Sequence, residues 1–339
     1  MAERASLKRP KTLVNLVPAF VSIFLLSGCL GEDKSNEPIT IKNITSPIIW
    51  QTSVFEEKTD GFALSAEPPL QLMLVLERSG LHVIDIDGAN VSEKSAPFFP
   101  VSISNGVNAD FDGAELKLFF GADEKSDGIS AFAFGDGLLN PSRVQIQSGV
   151  TTPIAGVCAS PSDTDGTIAR IGFWTQLDNT SLVVGELRTN PDSELQFIET
   201  ERVRHEKYLT SCALDKQTIV TGGGLGVQIK TGNEEPTVLN IPGVPVSLST
   251  LADGDESFVA MTLSGGKVYI ADSRSHVGAL TFKAGLSTKV PESAGTVALS
   301  GSGVVGSLPN GFLAIESILP SGTQIIYVDL ENLKTQLKS

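Results

Sequence analysis

The sequence predicts an all-β chain built as a six-bladed β-propeller, and three observations carry that expectation. Short apolar runs rich in Val, Ile, Thr and Phe alternate with turn residues, with 33 Gly and 18 Pro in 339 residues and no convincing long helix beyond the N-terminal segment. The runs come in pairs around tight turns. Those turns recur at roughly 40–55 residues, a spacing typical of propeller blades. A β-sandwich or a two-domain β-protein would share the strand signature; the recurrence favours the propeller.

The hairpins follow in order. Runs 72–76 and 81–86 flank Arg78-Ser79-Gly80, and runs 116–120 and 129–134 flank Lys125-Ser126-Asp127-Gly128. Runs 171–175 and 182–187 flank Asp178-Asn179, and runs 218–221 and 226–230 flank Gly223-Gly224. Runs 258–263 and 268–271 flank Ser264-Gly265-Gly266, and runs 312–318 and 324–330 flank Pro320-Ser321-Gly322. Gly, Asn and Asp recur at these turns because the chain must reverse within a few residues, where positive φ is tolerated best by those types.

The N-terminus has a different character. Arg4, Lys8, Arg9 and Lys11 precede an apolar run over 13–26, a basic region and an apolar region of signal-peptide length. The run is too short to cross a bilayer, which takes about 20 apolar residues. It ends in Leu26-Ser27-Gly28-Cys29, which resembles the lipobox of bacterial lipoproteins. That resemblance implies cleavage before Cys29, a diacylglyceryl group on its sulfur and a further acyl chain such as palmitate on its amine. Two or three chains anchor stably where one does not. Leu30, rather than Asp, follows the cysteine, which by the same resemblance favours outer-membrane sorting. The expected organisation is a signal peptide over 1–28, a lipidated polar tether over 29–38 and a propeller over 39–339.

Removing the signal leaves roughly 310 residues, enough for one large core without disulfide staples. It also takes the formal charge from −14 to about −17. Such a chain is a poor match for nucleic acid, whose phosphates want Lys and Arg, and an anionic substrate would need a bridging cation or a local basic patch. The expected partners are the membrane, through the lipid, and a protein or small molecule met by a monomeric propeller. Cys158 and Cys212 each sit in a small apolar stretch. An exported compartment permits a disulfide between them; two buried thiols or a metal pair are the alternatives. The histidines His82, His205 and His276 lie far apart and show no metal-ligand spacing.

From Pro47 to Leu333 the chain resembles, in patches, the β-propeller phytases, calcium-dependent enzymes that release phosphate from phytate. Pro47-Ile48-Ile49-Trp50 looks like the family's opening strand, and Gly80-Leu81-His82-Val83-Ile84-Asp85-Ile86-Asp87-Gly88 like an early hairpin. Asn105-Gly106-Val107-Asn108-Ala109-Asp110-Phe111, Cys212-Ala213-Leu214-Asp215, Gly224-Leu225-Gly226-Val227 and Pro309-Asn310-Gly311-Phe312 follow in the family's order. Both inner cysteines fall where many members carry cysteines, which implies that they pair.

The resemblance also implies where ligands should be. Calcium in such a site is bound by several carboxylate oxygens, and basic side chains hold the phosphates. At the matching positions this chain has Thr45-Ser46 for a paired Asp, Asn108 for Asp and Asp110 for Arg. It has Thr210 or Ser211 for Glu, Gly223-Gly224 for Glu-Asp, and no Asp over 295–298. Arg78 stands where the family has a basic phosphate-binding turn. Asn108, Asp110 and Asp112 form a remaining acidic cluster, a candidate cation site, with calcium the candidate cofactor. The expectation is therefore a propeller with no catalytic residues to assign, acting as a binding or assembly module. The rival is an active calcium-dependent phosphatase.

Overall fold

A computed structural model of the chain describes residues 39–68, 70–92, 98–111, 114–123, 128–135, 138–192, 194–285, 287–303 and 308–339. Two strands open it, β1 (Ile41–Pro47) and β2 (Trp50–Gln51). Blade 1 follows with β3 (Thr59–Ser65), β4 (Leu72–Glu77) and β5 (Gly80–Asp85). Blade 2 holds β6 (Pro100–Ile103), β7 (Val107–Phe111), β8 (Ala114–Asp123), β9 (Ile129–Gly135) and β10 (Leu138–Gln145). Blade 3 holds β11 (Ile154–Ser160), β12 (Ala169–Thr175), β13 (Ser181–Thr189) and β14 (Leu195–Arg204). Blade 4 holds β15 (Leu209–Leu214), β16 (Thr218–Gly223), β17 (Gly226–Thr231) and β18 (Thr237–Leu239). Blade 5 holds β19 (Pro245–Asp253), β20 (Glu256–Leu263), β21 (Val268–Asp272) and β22 (Val277–Lys283). Blade 6 holds β23 (Ser293–Ser300), β24 (Phe312–Leu319) and β25 (Gly322–Asp329), and the chain ends in helix α1 (Leu330–Lys338).

The six blades form a ring, so the protein is a six-bladed β-propeller. Each hairpin read from the sequence is the second and third strand of one blade, counted from the channel: β4–β5, β8–β9, β12–β13, β16–β17, β20–β21 and β24–β25. These strands are sandwiched between neighbouring blades, which is why they read as unbroken apolar runs. The described core divides accordingly into six apolar clusters, each bridging adjacent blades. Phe119, Phe132 and Phe134 meet Leu72 and Leu74 between blades 1 and 2. Phe173 and Phe197 meet Phe120 between blades 2 and 3, and Trp174 packs between blades 3 and 4. The remaining clusters hold blades 4 and 5, 5 and 6, and 6 and 1 together.

The ring is closed by the N-terminal strands. Strand β2 supplies the outer strand of blade 6, Trp50 opposite Tyr327, so the first part of the domain seals the last blade. The two rings lie 5.3 Å apart, and the buried Tyr327 hydroxyl donates to the carbonyl of Ile86 at 2.8 Å, tying in blade 1. Strand β1 adds to blade 5 in parallel, Ile41 opposite Val277 through Pro47 opposite Lys283. Helix α1 covers the exposed edge this creates. Asp329 caps the helix by accepting the Glu331 N–H, and Leu330, Leu333 and Leu337 bury one face against Ile44 and Ile48. Each such buried leucine is worth about 1.5–3 kcal/mol. The Gln336 amide then pairs with the free edge of β1, donating to Thr45 O at 3.0 Å and accepting from Thr45 N at 3.2 Å. A side chain thus does what a further strand would otherwise do, blunting an edge open to aggregation.

Candidate functional site

Six strands, β3, β6, β11, β15, β19 and β23, line the central channel, and all six share one irregularity. Their pairing with the next strand slips near the start: between Thr59 and Phe62, Pro100 and Ser102, Ile154 and Gly156, Leu209 and Ser211, Pro245 and Ser247, and Ala294 and Val297. A bulge leaves the extra residue outside the ladder and re-aims it. The bulged residues Asp60, Val101, Thr210, Val246 and Thr296 line the channel at its mouth. Val101 and Val246 are 48% and 50% exposed, high for valine inside a strand. In blade 1, Gly61 at φ +128° makes the turn behind Asp60.

Behind the mouth lies a channel volume of about 200 Å³. Its walls are hydroxyls and apolar groups: Ser102, Ser104, Ser211, Ser247 and Ser249 alternate with Ile103, Val157 and Leu248. Asp60 is the one ionisable residue among the described lining residues, and it is exposed. The hydroxyls also stitch the blades together. Ser102 Oγ accepts the Val157 N–H at 3.2 Å, and Ser247 and Ser249 accept those of Val297 and Leu299 at 3.1 and 2.9 Å. Asn105 Oδ1 accepts the Leu64 N–H at 3.1 Å, and Thr210 donates to Pro245 O at 2.5 Å. Cys158 and Cys212 form a disulfide across the seam of blades 3 and 4. Glu316 closes the seam of blades 6 and 1, accepting the Thr59 hydroxyl at 2.5 Å and the Thr296 N–H at 2.8 Å. Each inner strand would otherwise present bare N–H groups to the channel, and these side chains satisfy a part of them.

The residues singled out in the sequence are dispersed. Arg78 is exposed on the β4–β5 turn, at the mouth end of the ring but outside the channel lining. Asn108 and Asp110 are on β7, which pairs with β8 at the opposite end. There the Asn108 amide donates to Glu67 at 3.0 Å, and its oxygen accepts from Lys117 Nζ. Lys117 is buried and also donates to Glu67 O at 2.5 Å, so an ammonium already sits beside the Asn108 oxygen. Burial pushes the Lys117 pKa down, with Glu67 and then Glu115 partly offsetting it. Asp112 and Cys29, with the whole 1–38 segment, lie outside the described residues. Thr45 and Ser46 are on the outer strand β1, away from the channel, whereas Thr210, Ser211 and Thr296 line it.

Calcium takes six to eight oxygens, usually from several carboxylates. The described channel lining offers one carboxylate, and no group of three or more His, Cys, Asp and Glu is gathered among the described residues. His82 pairs with Glu77 at 3.3 Å, His276 with Asp272 at 2.7 Å, and His205 meets the Lys207 carbonyl at 3.0 Å, each on a different part of the ring. No helix among the described residues is long and apolar enough to cross a membrane. The Ser-x-Ser pattern of Ser102–Ser104 and Ser247–Ser249 is the one sequence signal that could have pointed to the channel, and hairpin pairing alone does not single it out.

Fold and channel define a six-bladed propeller with a hydroxyl-lined opening that carries one carboxylate among its described residues. No family model matches the chain, and no curated protein matches it in sequence. Among solved structures it is similar to a chain of the crystal structure of BBS1N in complex with ARL6DN, at 12% identity over 80% of this chain and 79% of that one, with a TM-score of 0.49. It is also similar to hydrazine synthase of Kuenenia stuttgartiensis, at 13% identity over 86% and 81%, with a TM-score of 0.48.

Proposed function

We propose that this protein is a lipid-anchored, phytase-like propeller of the bacterial envelope that binds a partner at its channel and carries out no catalysis. The observation that carries this reading is the donor set of the channel. Phosphoester hydrolysis in the family it resembles needs counter-charges for both the phosphate and the attacking water. Here the described lining supplies serine and threonine hydroxyls, valines and the single carboxylate of Asp60. Thr210 and Ser211, one of which aligns with a family Glu, both line the channel as hydroxyls, and from the stretch 295–298 aligned with a family Asp element Thr296 and Val297 line it. The lipobox ending at Cys29 supports the anchor, and Leu30 supports an outer-membrane destination.

Two measurements test the proposal. Phosphate release from phytate at millimolar calcium should stay at the buffer rate, and calcium should not raise the melting temperature. Turnover abolished by a chelator would instead make the chain a calcium-dependent phosphatase. Mass spectrometry of the protein from its host should find the N-terminus at an acylated Cys29, and Cys29→Ser should release the chain from the membrane fraction. A chain that stays membrane-bound after that substitution would overturn the anchor.

A further inference from the structure

The mouth of the channel carries apolar surface that the fold does not use. Phe99, Val101, Tyr208, Val246 and Val290 are each 45–50% exposed. All five lie at the start of an inner strand or within three residues before one, in blades 2, 4, 5 and 6. Val101 and Val246 line the opening itself; single exposed apolar residues are ordinary, but several at one end of the ring mark an interaction surface. At the same mouth, Asp60 has no ion-pair or hydrogen-bond partner among the described residues, and no Lys or Arg is among the described lining residues. A volume of about 200 Å³ falls below the roughly 300–1,000 Å³ of small-molecule pockets. It suits one inserted side chain.

We infer that the mouth binds an extended segment of a partner protein, one lysine or arginine of which enters the channel and pairs with Asp60. This rests on the reading of the channel as a binding site and names its ligand class. The inserted cation would donate to the Asp60 carboxylate and to the hydroxyl oxygens of Ser102, Thr210 and Ser247, while apolar residues on either side rest on Val101 and Val246. An anion would find no counter-charge among the described lining residues and would be repelled by Asp60. The apolar rim matters energetically because an exposed ion pair alone is worth about 1 kcal/mol or less, and a water-excluding surround is what makes a central contact count.

The test uses the Cys29→Ser chain and fluorescein-labelled, end-blocked heptapeptides of sequence Gly-Ser-Leu-Lys-Leu-Ser-Gly, with the lysine replaced by arginine, norleucine or glutamate in companions. In fluorescence anisotropy the lysine or arginine peptide should bind about tenfold more tightly than the norleucine peptide, and the glutamate peptide should not bind. Asp60→Asn should bring the cationic peptides down to the norleucine level. Val246→Ser should weaken every peptide without changing the ratio between them. Equal binding of lysine and norleucine peptides, indifference to Asp60→Asn, or no saturable binding up to millimolar peptide would each overturn the inference. So would co-sedimentation with phosphatidylcholine vesicles that Val246→Ser abolishes, since the mouth would then face lipid. The phosphate-release assay fails or succeeds independently of these results, so loss of this ligand leaves the non-catalytic reading standing.

Discussion

The Thr59 hydroxyl donates to Glu316 Oε1 at 2.5 Å, joining the inner strand of blade 1 to the second strand of blade 6. The other oxygen of the same carboxylate accepts the Thr296 N–H, and Gly295 leaves room for it, since a Cβ there would stand 2.1 Å from Oε2. Glu316 is 4% exposed and Thr59 is buried, so removing Glu316 strands the Thr59 hydroxyl away from water and unpairs the Thr296 N–H at the channel wall. Glu316→Ala should lower the unfolding free energy by about 3 kcal/mol in urea titrations, and Glu316→Gln, which keeps an acceptor oxygen and the shape, by about 1. Equal losses for the two would mean that the carboxylate's hydrogen bonds do not hold this seam.

The disulfide acts at a different seam by a different route. Cys158 and Cys212 are 54 residues apart. Closing a loop of that length removes unfolded-state entropy worth about 4 kcal/mol. Both sulfurs sit in an apolar cluster with Trp174 and Leu182, so alanine is the gentlest replacement. Cys158→Ala with Cys212→Ala should lower the melting temperature by about 10 °C, and a reductant that reaches the bond should do the same to the wild type while leaving the double variant unmoved.

Gly61 permits the bulge that presents Asp60. Its φ of +128° is strained for any L side chain, and a Cβ would also meet Thr296 Oγ1 at 2.7 Å. Gly61→Ala should therefore cost about 1–3 kcal/mol. Adding Thr296→Ala removes the contact but not the backbone strain, so the double variant should recover only part of the loss. Full recovery in calorimetry would assign the whole effect to the clash.

The hairpins were legible because their strands are buried on both faces: Ile129–Gly135 and Val268–Asp272 are buried throughout. The inner strands were not. A bulge breaks the two-residue alternation at its first residues, and serines such as Ser102 and Ser247 face the channel where an apolar pattern would be sought. The outer strands were hidden for the opposite reason: β14 and β18 expose Glu199, Arg204 and Val238 and carry weak alternation. Closure by β2 needs a partner about 275 residues away, which no local pattern encodes. The candidate site residues are separated by the fold. Arg78 follows the second strand of its blade and Asn108 follows an inner strand, which puts them at opposite ends of the ring.

Lys117 gives the fold a pH dependence of predictable sign. It is buried, donates to the carbonyls of Glu67 and Pro68 and to Asn108, and burial holds its pKa below the ordinary 10.5. The titratable groups facing it are Glu67 and Glu115, which offset part of that depression. Between its folded pKa and 10.5 the unfolded chain binds the proton that the folded chain has released, so stability rises with pH across that window. The contribution is fully present above 10.5 and is lost as pH falls through the folded value. Other lysines and tyrosines also titrate there, so the useful quantity is a difference. The unfolding free energy of the wild type minus that of Lys117→Met should climb as the buffer is taken from neutral pH toward 10.5. A flat difference would mean that the ammonium is as well solvated by its three oxygens as by water, and a falling one would mean that the two glutamates outweigh burial.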